Sequence, residues 1–347
     1  MPDKSKKPII IWLLSGCILI YLMLLIGGIT RLTHSGLSIV NWSLFGDFPP
    51  LNDQQWNERF GQYKQYPEYQ QVNFNFKLDE FKSIFWWEYI HRFLGRSIGV
   101  LFIVPFFYFL VRRRIDSKLL FRLLLLIILG GLQGLLGWYM VQSGLNKLPR
   151  VSHYRLAAHL ISALTVMGYT FWTALELIYK PKLTGSPGIL KTGLFKMKTL
   201  SILLFVSIVI QIVYGAFVAG LKAGLLCPDW PKMCGEWIPE SAYALRPLWK
   251  NTLESGAGVQ FIHRCMACVV VLLTGIIYFR SKSEPVQGAL QMKIVNALGI
   301  LILCQFTLGI LTLLFAVPVV LGVLHQTGAF LVFTCSLFLI FSFRIQK

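Results

Sequence analysis

Charge is scarce in this sequence. Only 14% of its 347 residues are Asp, Glu, Lys or Arg, against 55% hydrophobic, and the mean hydropathy is +0.63. A soluble globule of this length needs a more polar surface, so that class is excluded. Acids are scarcer than bases, 15 against 33, giving a formal net charge of +18. That excess does not describe a nucleic-acid surface, because the basic residues gather in alternate short loops. The first apolar stretch lacks a small-residue cleavage site before its polar flank, so it reads as a retained span and not as a removed signal peptide.

What is present is apolar length. Windows of about 20 apolar residues predict eight membrane helices, near 9–29, 92–111, 119–141, 155–178, 199–221, 260–280, 291–316 and 319–343. The expected class is an all-α integral membrane protein. Lys4, Lys6, Lys7, Arg112 to Arg114, Lys118, Lys180, Lys182, Lys191, Lys196, Lys198, Arg280, Lys282, Lys293, Arg344 and Lys347 fall on one side of these spans, and nearly all the acids fall on the other. By the positive-inside rule both termini are cytoplasmic, or in the matrix if the source is mitochondrial. The membrane expected is the bacterial cytoplasmic (inner) membrane or its mitochondrial counterpart.

The chain is organised around Trp86-Trp87-Glu88-Tyr89-Ile90-His91-Arg92. An i to i+3 spacing puts Glu88 and His91 on one helical face, with Arg92 beside them. A second copy stands at Gln260-Phe261-Ile262-His263-Arg264, where the glutamate has become glutamine. His159 and His325 open the fourth and eighth helices in the same way. Duplication explains this pattern, giving two tandem four-helix bundles with pseudo-twofold symmetry. The halves are 1–180, with a long outer loop over 30–90, and 199–347, joined by an inner linker at 181–198. The long loop is expected to fold over the outer mouth of its bundle, with Asp79 to Tyr89 as an interfacial helix carrying Trp86 and Trp87 in the aromatic belt. Gly130 and Gly134 have the small-xxx-small spacing of close helix packing.

Topology places all four histidines near the outer face. Ionisable groups inside a membrane are functional by default, and four at repeated places point to ligands: His91 with His159, and His263 with His325, each pair facing across a four-helix bundle. Zinc wants three or four ligands, often including Cys or a carboxylate, whereas two histidines on separate helices suit axial ligation of a haem iron. Arg92 and Arg264 stand where they could pair haem propionates or simply snorkel to the interface, and both readings remain open. His34 and His153 lie outside the repeat and read as surface residues. Cys227 and Cys234 share an outer loop on the oxidising side, where a disulfide is expected, either bracing the loop or taking part in redox exchange. Cys17, Cys265, Cys268, Cys304 and Cys335 lie within helices and read as small packing residues. The CxxC spacing of Cys265 and Cys268 has no following histidine, which removes support for covalent haem attachment.

These residues resemble the haem A synthase family over nearly the whole chain. The matching parts are Gly28-Ile29-Thr30-Arg31-Leu32-Thr33 with Ser35-Gly36-Leu37, Glu88 to Arg92 with Gly95-Arg96, Gln133-Gly134 with Gly137-Trp138, His159, His263-Arg264 and His325-Gln326. The long first outer loop, which has no cysteine, is similar to the branch found in mitochondria and many Gram-negative bacteria. The resemblance implies that the first half holds substrate haem O, and product haem A, between His91 and His159. It implies a resident haem b between His263 and His325, with Glu88 as catalytic acid or base. The implied reaction oxidises a haem methyl to a formyl group through hydroxylated intermediates. Haem O synthase is then the implied substrate donor, cytochrome c oxidase assembly the destination, and the lipid bilayer the surroundings; a homo-oligomer is compatible with the sequence. Glu88 opposite Gln260 agrees, since only the former transfers protons. Two competing readings use the same histidines: a dihaem b-type electron-transfer protein and a non-catalytic haem carrier.

Overall fold

The structure, a computed structural model, describes residues 6–41, 43, 46, 48–179, 190–283 and 288–345, with 190–195 as backbone only. Its helices are α1 (Lys7–Leu32), α2 (Asp53–Tyr63), α3 (Pro67–Gln71), α4 (Leu78–Val111), α5 (Ser117–Gln142), α6 (His153–Ile178), α7 (Leu190–Gly220), α8 (Gly256–Ser283), α9 (Ala289–Leu314) and α10 (Val319–Ser342). Eight of these, all but α2 and α3, are long and apolar enough to cross a membrane. The chain is thus an all-helical integral membrane protein, as expected.

One expectation is corrected. The interfacial helix at 79–89 and the second span are a single 34-residue helix, α4. From Leu78 to Leu94 the sequence contains neither Gly nor Pro, so nothing interrupts the backbone hydrogen bonds between the aromatic stretch and the span. Pro105 lies further along, inside the helix. Glu88 and His91 therefore ride one rigid rod.

The chain falls into two compact units that part between Phe171 and Trp172, inside α6. In the first, α4 packs on both α1 and α5. The segment between α1 and α4 folds onto the start of α4 through Trp56, Phe60 and Tyr63 of α2 and Phe81, Ile84 and Phe85 of α4. Trp56 meets Phe85 edge-on at 5.0 Å and Phe60 stacks on Phe81 at 5.1 Å. This aromatic burial gives the long loop a core of its own. Inside it the Tyr63 hydroxyl donates to Glu68 Oε2 at 3.1 Å and accepts from Asn73 Nδ2 at 2.8 Å.

In the second unit α8 packs on α7 and α9, and α10 packs on the same two helices, which closes a four-helix bundle. The end of α6 belongs here: Trp172 meets Phe341 edge-on at 5.0 Å, and Glu176 accepts from Arg344 at 3.0 Å. Of the linker expected at 181–198, residues 181–189 lie outside the described residues. Gly130 and Gly134, expected to pack helices, face open space, and the glycine of α5 that makes a close contact is Gly137.

Candidate functional site

Each of the four repeated histidines lies in the first half of its helix and is half-buried. Each rests on a glycine of the preceding long helix. A methyl group placed on Gly27 would lie 3.1 Å from His91, on Gly137 2.9 Å from His159, on Gly215 3.2 Å from His263, and on Gly309 3.0 Å from His325. Any larger residue at these glycines would drive the imidazole away, so the four glycines set how near the rings stand to α1, α5, α7 and α9. Gly137 belongs to the Gln133 to Trp138 motif legible in the sequence, which carries no sign of its contact with His159. Gly309 had no signal beyond its place sixteen residues before His325.

Within the first unit His91 and His159 lie in electrostatic reach of each other, and within the second so do His263 and His325. Among the described residues no group of three or more His, Cys, Asp or Glu side chains is placed to hold a metal ion, so neither pair has the further ligand that a structural zinc would want. The Nδ1 atoms of His159 and His263 are buried without a hydrogen-bond partner. Paired imidazoles on separate helices, with no third ligand, fit axial ligation of haem iron.

Beside each pair a clamp ties helix to loop. Glu88 is 2% exposed. Its Oε2 accepts from Ser38 Oγ at 2.7 Å and Ile39 N at 2.8 Å, and its Oε1 accepts from Arg92 Nη2 at 2.6 Å and Nε at 3.0 Å. Arg92 also donates to the carbonyls of Ile39 at 2.6 Å and Asn41 at 3.0 Å. In the second unit Gln260 Nε2 donates to the Cys227 carbonyl at 3.1 Å, and Arg264 donates to the carbonyls of Cys227 at 2.7 Å and of Asp229 and Lys232 at 2.9 Å. Both arginines are therefore engaged with loop backbone. Arg264 Nε is left buried and without a partner.

The second loop is closed by a disulfide between Cys227 and Cys234, as expected. Asp229 fastens its turn, accepting from the N–H groups of Cys234 and Gly235, both at 2.8 Å. The Gly235 N–H, helped by that of Cys234, holds the Asp229 carboxyl below the usual carboxylate range. Trp230 of this loop meets Phe306 of α9 edge-on at 5.7 Å. His34 is exposed; His153 is half-buried, at the first position of α6, with its ring 4.0 Å from that of Tyr154. Cys17 is buried as a packing residue, while Cys265, Cys268 and Cys304 are exposed on their helices, contrary to expectation.

Known proteins resemble this chain over nearly its whole length. A family model described as cytochrome oxidase assembly protein matches residues 10–337. Among similar proteins is a heme A synthase of Flavobacterium johnsoniae, 44% identical over 332 residues, covering 94% of this chain and 95% of the relative. Another, from Flavobacterium psychrophilum, is 43% identical over 345 residues, covering 98% and 99%. The protein named Heme A synthase COX15 in Arabidopsis thaliana is 40% identical over 342 residues, covering 97% of this chain and 74% of its own length. The chain belongs to the haem A synthase family of cytochrome oxidase assembly proteins.

Proposed function

We propose that this enzyme oxidises a methyl group of haem O to a formyl group through hydroxylated intermediates, giving haem A for cytochrome c oxidase. The substrate is held between His91 and His159, and a resident haem b between His263 and His325. The observation that carries this reading is the asymmetry of the two sites: each has a histidine pair and an arginine-held loop, but only in the first does a buried carboxylate stand one turn from a histidine on the same helix, where the second has Gln260.

When bound, haem b supplies one-electron chemistry. The protein's own groups do the rest. The imidazoles of each pair fix the porphyrin between facing helices. The loop at 38–41, drawn down by Glu88 and Arg92, and the disulfide loop, drawn down by Gln260 and Arg264, cover the sites. Glu88 serves as the proton-transfer group of the first site, and the buried Ser38 hydroxyl on its Oε2 is the exchangeable O–H beside it. Gln260, with no proton to exchange at neutral pH, only clamps. Arg264 Nε is the donor still available to a propionate. Haem O synthase is the substrate donor in this reading, and the basic loops support a topology with both termini cytoplasmic and the sites toward the outer face.

Extraction of the pigments from purified protein tests this reading. Haem O, a hydroxylated haem or haem A beside haem b supports it; haem b alone favours an electron carrier, which would have no use for Glu88.

A further inference from the structure

The four histidines are not held alike. One helical turn before the contacting glycine stands a glutamine in three cases: Gln133 before Gly137, Gln211 before Gly215 and Gln305 before Gly309. Gln133 Nε2 donates to the His159 carbonyl at 3.1 Å and Gln305 Nε2 to the His325 carbonyl at 2.8 Å. Gln305 Nε2 also lies 3.1 Å from His325 Nδ1, and Gln211 Nε2 lies 3.4 Å from His263 Nε2. In all three the amide Oε1 is buried without a partner, as is the Nδ1 of His159 and of His263. A metal-bound imidazole needs an acceptor for its second ring N–H, which fixes its tautomer and orientation. The amides of Gln305 and Gln211 reach a ring nitrogen, and turned over they would offer it their idle oxygen as that acceptor; Gln133 reaches the His159 backbone, with its own Oε1 and the His159 Nδ1 both left unpaired.

His91 departs from the pattern in two independent ways. One turn before Gly27 stands Met23, a weak acceptor, whose Cε methyl packs toward Gly95 instead. The ring is also turned: His91 sets its Nε2 and Cδ2 edge against the glycine, where the other three present Cε1. Among the described residues no side chain hydrogen-bonds to His91.

We propose that Gln133, Gln211 and Gln305 are positioning residues for His159, His263 and His325, and that His91, with Met23 in place of a glutamine, is the one releasable ligand of the four. This rests on the reading of His91 and His159 as the substrate-haem pair. If the substrate haem is held by His91 and His159, release of His91 would break its bond to iron with the electron pair staying on the imidazole nitrogen, and His159 would keep the substrate in place. Two fixed histidines would leave no axial position open. A haem held by His263 and His325, with a glutamine beside each, would have no releasable ligand and would serve electron transfer.

Carbon monoxide binding to the full-length, dithionite-reduced holoprotein in detergent tests this. In the wild type it is expected to occupy the first-half haem and spare haem b. Met23→Gln should slow or weaken that binding about tenfold, the lower end of what such supporting hydrogen bonds contribute at metal sites, and Met23→Leu should leave it unchanged. Gln305→Met should let carbon monoxide reach haem b. An unchanged response in Met23→Gln, or equal binding at both haems of the wild type, would overturn the ligand assignment. Extraction of the same samples separates the two claims: a first-half haem that is neither haem O nor haem A overturns the functional reading instead.

Discussion

Arg92 Nη2 donates to Glu88 Oε1 at 2.6 Å, one turn along the same helix, with Glu88 buried and Arg92 half-buried beneath the loop at 38–41. Gln260 and Arg264 have the same spacing and also hold a loop, but Gln260 donates to the Cys227 carbonyl where Glu88 accepts from Ser38 and Ile39, and there is no ion pair between the two. The second clamp holds its loop with a neutral glutamine, so a loop clamp at this place does not by itself require a carboxylate. A buried ion pair is weak grounds for stability, since desolvation offsets its attraction. Its presence at one site only is an argument for chemistry there.

Glu88→Gln makes the first clamp like the second. The protein is expected to fold, keep haem b and admit haem O, yet form haem A about 10²–10⁴-fold more slowly, the usual effect of losing a general acid or base. Glu88→Ala should do worse, because it also removes the acceptor that Ser38, Ile39 and Arg92 share. Haem chromatography and thermal denaturation of the two variants check both statements. Normal haem A from Glu88→Gln would reduce the residue to a loop fastener.

Truncating the histidines should separate the sites. His263→Ala or His325→Ala is expected to remove haem b absorbance while substrate haem still enters the first half, and His91→Ala or His159→Ala to do the reverse. Difference spectra with pigment extraction read this directly. Equal loss of both haems from each variant would contradict a two-site protein.

The glycine contacts give a steric test. Gly309→Ala puts a methyl 3.0 Å from His325, so haem b should bind at least tenfold more weakly, with overpacking of about 1–3 kcal/mol. Gly134→Ala meets nothing within 4 Å and should be neutral, or stabilising by about 0.5–1 kcal/mol because alanine loses less backbone entropy in a helix. Haem titration of the two apoproteins distinguishes them.

The Asp229 turn should show acid sensitivity. Its carboxyl is held below its ordinary value in the fold, so its contribution is fully present above the unfolded pKa of about 3.9 and is lost as pH falls through the lower, folded value. The loop is therefore expected to keep its order at neutral pH and loosen only under stronger acid, measured as proteolytic nicking between Cys227 and Cys234. Asp229→Asn, which lacks the charge and one acceptor, should nick faster at neutral pH and lose that pH dependence.

The eight spans, the four histidines and the disulfide were legible because each has a local or periodic signature: apolar length, repeated position, paired cysteines in one loop. The unbroken α4 escaped because aromatic composition reads as an interface whether or not the helix continues through it. The seating of His91 on Gly27 and of His325 on Gly309 joins residues of different helices, and nothing in the spacing of one announces the other. The Ile39, Asn41 and Cys227 carbonyls that receive the arginines are backbone groups, which carry no sequence signal at all. The recurrence of Gln133, Gln211 and Gln305 four positions before a glycine was visible in the letters, but its meaning depended on seeing which histidine each amide touches.

The most direct measurement is the haem content of membranes from a host that makes haem O and no haem A, with and without this chain. The account predicts that expressing the chain converts haem O to haem A, with a hydroxylated haem on the way, and that Glu88→Gln expressed to the same level leaves haem O in place. Membranes that carry the folded protein with haem b at His263 and His325, yet contain haem O and no trace of oxidised product, would contradict it.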